Sequence, residues 1–452
     1  MSLNPLPFEF EQAMQQQLAG SFSDFAQSLK ETPPVSIRLN PNKYHQPLDL
    51  EEIRWSQHGR YLKERPIFTL DPLLHAGAYY VQEASSMFLE QAFLQTVDQS
   101  LPLNVLDLCA APGGKSTHLQ SLMNKQSLLV SNEVIRSRTS VLSENLKKWG
   151  GCNVVVTNND PENFQKLQGF FDVIVVDAPC SGEGLFRKDP SAMNEWSEAN
   201  IDLCSKRQRR ILSDVWPALK QNGILIYSTC TYNAKENEDN MAWLVKEKKA
   251  ESLKLKVESD WQVVEVDTNN IPGYRFYPHR AKGEGFFLSV LKKTETEPDA
   301  LIKGRATFIS PSAKILSQLH DWIIQPEDKT FIIRNDRIQF FQRNKAYEIE
   351  FLAKNLYLLS AGTDMATVKH EKLVPEHALA LSQELNKENF NVLELELADA
   401  LRYLRKETLT IKADKKGFTL ITYQNIPLGW ANLLGNRINN LYPTEWRVRM
   451  NG

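Results

Sequence analysis

Two cysteines follow two apolar runs in this chain. Cys180 lies in Asp177-Ala178-Pro179-Cys180-Ser181-Gly182, and Cys230 lies in Ser228-Thr229-Cys230-Thr231. Val173-Ile174-Val175-Val176 precedes the first and Ile224-Leu225-Ile226-Tyr227 precedes the second, and both runs read as strands. In an open α/β sheet, ligands bind in the crevice beyond the carboxyl ends of the strands. Two thiols delivered there, one beside an aspartate and a proline, suit covalent chemistry on an electron-poor ring. The 50 residues between the thiols cover one helix and one strand, as neighbouring parallel strands require. The alternative is that both are buried core thiols. Their placement in Pro- and Thr-flanked turns, rather than within strands, argues against it.

A second constellation lies upstream. Asp107-Leu108-Cys109-Ala110-Ala111-Pro112-Gly113-Gly114-Lys115-Ser116-Thr117 follows a strand and opens a helix. Small residues let the backbone approach a ligand, and the helix start offers free N–H groups. The segment lacks both the dinucleotide G-x-G-x-x-G and the P-loop spacing, and Pro112 sits where neither has a proline. An acid at the end of the second strand, about 20 residues after the glycine turn, typically holds a ribose diol. Glu133, 18 residues beyond Lys115, occupies that place. Asp160, after the third strand, is placed to face an adenine. Either acid could instead cap a helix or face solvent. A ribose-binding acid without a pyrophosphate fingerprint points to S-adenosylmethionine, with the loop 109–115 (Cys109, Ala110, Ala111, Pro112, Gly113, Gly114, Lys115), Glu133, Asp160 and Asp177 as its binding residues.

These residues need a scaffold, and the alternation of patterns from 104 onward supplies one. Strands are expected at 105–108, 128–132, 153–157, 171–177, 224–228 and 285–291. Helices are expected from 115, over 136–149 and over 200–220. Strands alternating with helices imply a mostly parallel sheet. Upstream, a helical start over 8–29 leads to Thr32-Pro33-Pro34 and a strand-like segment 36–40, and 79–87 reads as the start of a helix. A polar linker, 292–298, separates the sheet unit from short β-rich runs at 331–334 and 339–341. The chain therefore divides into an accessory, RNA-contacting region (1–103), a catalytic domain (104–293), a small α+β module (300–369) and a last module (370–452).

Composition excludes several classes. The 452 residues carry a net charge of −2, so no global basic signal exists and any polyanion partner must meet a local basic face. No stretch reaches the roughly 18 apolar residues of a membrane span, and residues 1–10 lack a signal-peptide pattern. A cytoplasmic location is expected. The five cysteines form neither a disulfide framework nor a C-x-x-C zinc site, and no metal is expected. Cys152 and Cys204 read as structural, and Cys109 as packed under the cofactor loop. Two basic clusters, Lys206, Arg207, Arg209 and Arg210, and Arg275, His279, Arg280 and Lys282, read either as solvated faces or as contacts to a phosphate backbone.

Taken together, segments 107–115, 177–184 and 228–231 resemble the RNA 5-methylcytosine methyltransferases of the Fmu/Sun family, and among these the RsmF (YebU)-like bacterial rRNA methyltransferases. Tyr80-Val81-Gln82-Glu83-Ala84-Ser85-Ser86, Phe186-Arg187-Lys188-Asp189, Glu236-Asn237-Glu238, Arg275-Phe276-Tyr277-Pro278-His279-Arg280 and Lys282-Gly283-Glu284-Gly285-Phe286-Phe287 extend the match over roughly 30–293. The last third is similar to the PUA-like RNA-binding tail of that subgroup only loosely. The resemblance implies a Rossmann-like class I S-adenosylmethionine-dependent core with an N-terminal accessory region and small α+β C-terminal RNA-binding modules. It also implies methylation of C5 of a cytosine in 16S small-subunit rRNA through a covalent Cys–C6 adduct. In that reading Cys230 is the nucleophile, Cys180 assists product release, and Asp177 hydrogen-bonds the base near N3 and N4.

The chemistry agrees with this reading, because C5 of cytosine is a weak nucleophile until a thiolate adds at C6. Lys115 closes the loop or contacts the methionine moiety or the base, a choice the sequence leaves open. The target base must leave any stack, so a loop or flipped cytosine is expected. A monomer is expected. The same chemistry on tRNA, or a catalytically silent RNA-binding or ribosome-assembly factor, are the alternatives. An amino-group methyltransferase would need an Asn/Asp-Pro-Pro-Tyr/Phe turn in place of Asp177-Ala178-Pro179-Cys180. DNA cytosine methyltransferases place their nucleophile in a Pro-Cys pair like Pro179-Cys180, which makes the role of Cys230 the decisive test.

Overall fold

The computed structural model describes residues 6–296, 308–334, 336–369, 372–409, 416–435 and 438–450. Helices Phe8–Leu18 and Phe22–Ser28 precede a small antiparallel sheet of β1 (Val35–Leu39), β2 (Gly59–Leu62) and β3 (Tyr79–Val81), ordered β2-β1-β3. The helix expected to begin at 79 instead starts after β3, with a 3-10 turn at Ser85–Phe88 and an α-helix at Leu89–Thr96. Residues 79–81 complete a sheet with β1, so tertiary pairing overrides the local pattern there.

The central sheet contains β4 (Asn104–Asp107), β5 (Leu128–Asn132), β6 (Val154–Thr157), β7 (Phe171–Asp177), β8 (Leu219–Thr229), β9 (Glu251–Ser252), β10 (Val264–Thr268), β11 (Ile271–Phe276) and β12 (Phe286–Lys292). Its middle, β6-β5-β4-β7-β8, is parallel, as the alternation implied. Its β8 side is antiparallel through β12, β11 and β10. For the β10–β11 pair the reason is local. Asn269 and Asn270 both have positive φ and join β10 to β11 in a two-residue turn, which can only return antiparallel.

Successive strand residues point to opposite faces. Val105, Leu129, Val173, Val175 and Ile226 pack with Leu119, Leu142 and Leu146 of helices Gly114–Leu122 and Arg136–Trp149. Leu106, Val130, Ile174, Val176 and Leu225 pack with Ile211, Leu212, Met241 and Leu244 of helices Glu198–Val215 and Glu238–Lys248. With both faces covered, the polar ends of the strands are the place left for a site.

Downstream, β13 (Lys329–Arg334), β14 (Arg337–Gln342), β16 (Thr363–Lys369) and β17 (Lys372–Pro375) form a second sheet. Between them, helix Ala346–Asn355 places Ile349 and Leu352 in the central core, and β15 (Leu358–Ala361) pairs antiparallel with β6. Residues 346–361 thus extend the central sheet, a crossing that the boundaries drawn from sequence do not contain. The expected linker leaves the described residues at 297, as does the boundary at 300. A last sheet holds β18 (Asn391–Glu394), β19 (Gly417–Tyr423), β20 (Ile426–Leu433) and β21 (Ile438–Asn440). Among the described residues, no helix is long and apolar enough to cross a membrane.

Candidate active site

Register brings the two thiols together. Asp177 pairs with Ser228 across the parallel β7–β8 ladder, and the Ala178 N–H donates to the Ser228 carbonyl at 2.8 Å. The chains then leave the sheet side by side, and the Sγ atoms of Cys180 and Cys230 lie 3.2 Å apart. Both residues are half-buried. The Cys180 thiol is pushed well above the ordinary cysteine range by its contact with the Cys230 sulfur and by burial.

The turn carrying Cys230 is pinned by a residue that the sequence pattern does not single out. Oε2 of buried Glu183 accepts from Thr231 Oγ1 at 2.7 Å, the Tyr232 N–H at 2.8 Å and the Asn233 N–H at 2.9 Å. The Gly184 N–H donates to the Cys230 carbonyl at 2.9 Å. A Cβ on Gly184 would lie 2.5 Å from the Gly285 carbonyl oxygen and 2.8 Å from that of Cys230, so only glycine fits this approach. Glu183 lies in the 177–184 segment, but as an acid three residues past a cysteine it carries no distinguishing signal.

Asp177, at the end of β7, is held from two sides. Ser228 Oγ donates to Oδ1 at 2.8 Å, and Lys115 Nζ pairs with Oδ2 at 2.7 Å. The same ammonium lies 5.3 Å from the centre of the Phe286 ring. Burial alone would lower the Lys115 ammonium, but Asp177 foremost, with Asp107 and Cys230, offsets it and the group is raised. Lys115 is therefore cationic, and its partner is Asp177. Cys230 also lies within electrostatic reach of it.

The loop after β4 is tied down by its backbone oxygens. Arg138 Nη2 donates to the Ala111 carbonyl at 2.7 Å and Asn145 Nδ2 to the Pro112 carbonyl at 2.8 Å, while the Ala110 N–H reaches the Asn132 carbonyl at 2.8 Å. Gly113, with φ +113°, makes the turn into helix Gly114–Leu122 in a conformation other residues avoid. Arg38, buried on β1 over the Trp149 ring, donates to Thr117 Oγ1 at 2.6 Å and the Gly114 carbonyl at 3.2 Å. It binds the N-terminal sheet to the loop, a role the sequence did not reveal. Its only sign there is a charge inside the strand-like segment 36–40.

Three carboxyl groups converge beneath this loop. Asp107 is fully buried; its Oδ2 accepts from Ser116 Oγ at 2.6 Å, while Oδ1 is buried with no partner among the described residues. Burial raises its carboxyl to about 7. Buried Glu133 accepts from the Ile135 N–H at 2.8 Å and faces Arg138 Nη1 at 3.7 Å. Cys109 is pushed up by burial and by the charges of Asp107, Asp177 and Glu133 together, which places it among all three. A cluster of acids with an orphaned carboxyl oxygen beside a glycine turn suits a ligand that carries positive charge beside a ribose. S-adenosylmethionine has that character, and Asp107, Glu133 and loop 109–115 are the residues that would hold it.

Asp160 is placed differently from Glu133. Its Oδ1 accepts from the Glu162 N–H at 3.1 Å, capping the turn Pro161–Lys166, and both oxygens meet Arg210 at 3.2 and 3.3 Å. The basic clusters also need correction. Arg275 is buried in an ion pair with Glu238, Lys282 pairs with Glu51, and Arg209 donates to Asn240 at 2.8 Å. Lys206, Arg207 and Arg280 are exposed. The buried Arg275 guanidinium, paired with Glu238, is out of reach of a phosphate. Cys152 and Cys204 are buried. Among the described residues, no group of three or more His, Cys, Asp or Glu could hold a metal ion.

Known proteins share this arrangement of chain. Residues 93–292 match the family described as 16S rRNA methyltransferase RsmB/F. Residues 6–84 match the N-terminal domain of 16S rRNA methyltransferase RsmF, and 390–448 the methyltransferase RsmF PUA domain. The chain is 30% identical over 449 residues to ribosomal RNA small subunit methyltransferase F of Citrobacter koseri, covering 94% of this chain and 92% of that one. It is 31% identical over 414 residues to the protein of the same name from Shewanella loihica, covering 87% and 83%. A methyltransferase homolog protein from Pyrococcus horikoshii superposes with a TM-score of 0.54 at 26% identity, covering 63% of this chain and 94% of that one. NSun6 from Pyrococcus horikoshii with SFG shares the fold, with a TM-score of 0.53 at 18% identity over 64% and 98%.

Proposed function

The chain belongs to the RsmB/F family of 16S rRNA methyltransferases, and on that premise we propose that it methylates C5 of a cytosine in small-subunit rRNA through a covalent adduct between Cys230 and C6 of the base. S-adenosylmethionine is the methyl donor; its sulfonium supplies the methyl group to C5. The observation that carries the reading is the 3.2 Å approach of two thiols beside the Lys115–Asp177 ion pair.

In this mechanism the Cys230 thiolate adds to C6, and the electron pair of the C5–C6 bond becomes available at C5. Asp177 accepts a hydrogen bond from the exocyclic amine of the cytosine, and Lys115 holds that carboxylate in orientation. Once C5 is methylated, its proton must leave so that the C5–C6 double bond re-forms and Cys230 is expelled. That proton passes to water, and Cys180, a protonated thiol in contact with the Cys230 sulfur, is placed to protonate that sulfur as it departs. A cytosine inside a helix cannot reach these atoms, so the substrate is an unpaired or extruded base.

Bisulfite sequencing of small-subunit rRNA and of tRNA, from cells with and without the gene, tests the reading. One rRNA cytosine is expected to lose its methylation. Loss confined to tRNA would transfer the chemistry to that substrate, and no loss anywhere would favour a silent RNA-binding factor.

A further inference from the structure

Glu236 is fully buried beneath both cysteine loops, just before helix Glu238–Lys248. Its Oε1 accepts from Ser181 Oγ and from Asn233 Nδ2 at 2.8 Å. Its Oε2 accepts from Gln208 Nε2 at 2.7 Å and from the Ser181 N–H at 3.1 Å. Every one of these partners can donate, which suits a carboxylate, and the hydrogen bonds oppose the burial that raises the group above the ordinary carboxylate range. A buried charge held by dipoles alone costs stability, and four hydrogen bonds offset that cost.

The network grips both thiols through their neighbours. Asn233 Nδ2, which donates to Glu236, also donates to Thr231 Oγ1 at 3.0 Å, so the carboxylate that holds the residue after Cys180 is joined to the residue after Cys230. Gln208 Nε2 also donates to the Pro179 carbonyl at 3.0 Å, fixing the residue before Cys180. Lys115 lies within electrostatic reach of Cys230, whereas Glu236 bears on Cys180 and disfavours its thiolate. The two sulfurs touch, yet opposite charges stand behind them.

We propose that Glu236 is a positioning residue that holds Cys180 against Cys230 and keeps Cys180 a neutral thiol, so that Cys230 alone is the attacking thiolate. This deepens the covalent reading above and rests on it. The other titratable or charged groups around the pair are Asp177 on β7, Tyr227 on β8, Glu183 on the following turn, Lys115 on helix Gly114–Leu122, Cys204 and Arg209 on helix Glu198–Val215, and the Glu238–Arg275 pair. All of them are unchanged in the comparison that follows.

The test is the pH dependence of Cys180 alkylation by iodoacetamide, read by peptide mass spectrometry in full-length Cys230→Ser protein. With Glu236 intact, the midpoint is expected above that of an ordinary thiol, about 8.5. Glu236→Gln is expected to lower the midpoint, so that alkylation is faster at lower pH, while Glu236→Asp stays near the parent. A folded Glu236→Gln protein with an unmoved midpoint overturns the proposal. So does a parent midpoint at or below the ordinary value, which keeps the test decisive where the Gln variant fails to fold. The reaction involves neither RNA nor methyl donor, so its failure leaves the methylation reading standing, and absence of rRNA methylation would leave the midpoint untouched.

Discussion

Lys115 Nζ lies 2.7 Å from Asp177 Oδ2, joining the helix after β4 to the end of β7 across the mouth of the sheet. The pair links the cofactor loop to the segment that carries Cys180 and fixes the direction in which the Asp177 carboxylate points. Lys115→Met is expected to lower the single-turnover rate of methyl transfer about 100-fold, the scale of removing one oriented electrostatic interaction. RNA binding, measured by filter retention, should stay within about threefold, because the lysine faces an internal partner. A rate close to that of the parent protein would remove Lys115 from the mechanism.

Asp107 makes donor binding depend on pH. Burial holds its carboxyl protonated up to about 7, well above the ordinary carboxylate range. A cationic ligand favours the ionised form, so binding must release a proton below that value. The affinity for S-adenosylhomocysteine, which keeps the ammonium group, is expected to rise with pH toward 7 and level off above it. Titration calorimetry in two buffers of different ionisation enthalpy reads the released proton directly. Asp107→Asn should flatten the profile, and a profile unchanged by that substitution would place the ligand's charge elsewhere.

The fold class and the strand ends that carry the candidate site were legible in the sequence, and the outer strands were less so. Cys180, Cys230, Asp177 and the loop 109–115 were readable because each follows an apolar strand, and strand ends in a parallel sheet converge. Glu183, Glu236 and Arg38 were less readable. Their work is to satisfy backbone groups and neighbouring side chains brought close only by folding, and nothing in their local spacing marks that. The β10–β11 hairpin did leave a trace, Asn269-Asn270 between alternating residues, masked by the stronger parallel pattern around it. Strand β15 left little, since Leu358–Ala361 joins the central sheet from beyond a long excursion.

The exposed cations have a measurable signature. Among the described residues, Lys206, Arg207 and Arg280 are members of the two basic clusters that face solvent outside any ion pair. Neutralising all three should weaken rRNA binding and reduce the slope of log affinity against log salt by about one for each phosphate that is no longer neutralised. Arg275→Ala should act differently, lowering the melting temperature by breaking the buried pair with Glu238. An unchanged slope in the triple variant would move the RNA path to another face.

The division of labour between the two thiols is tested most directly by trapping the covalent complex. Purified Cys230→Ala and Cys180→Ala proteins are incubated with unmodified 16S rRNA and S-adenosylmethionine, then resolved on a denaturing gel. Cys180→Ala is expected to accumulate a protein–RNA adduct that survives denaturation, because methyl transfer proceeds and release fails. Cys230→Ala is expected to form no adduct and to transfer no methyl group. An adduct that persists in Cys230→Ala and never forms in Cys180→Ala would assign the attack to the other sulfur and contradict the mechanism.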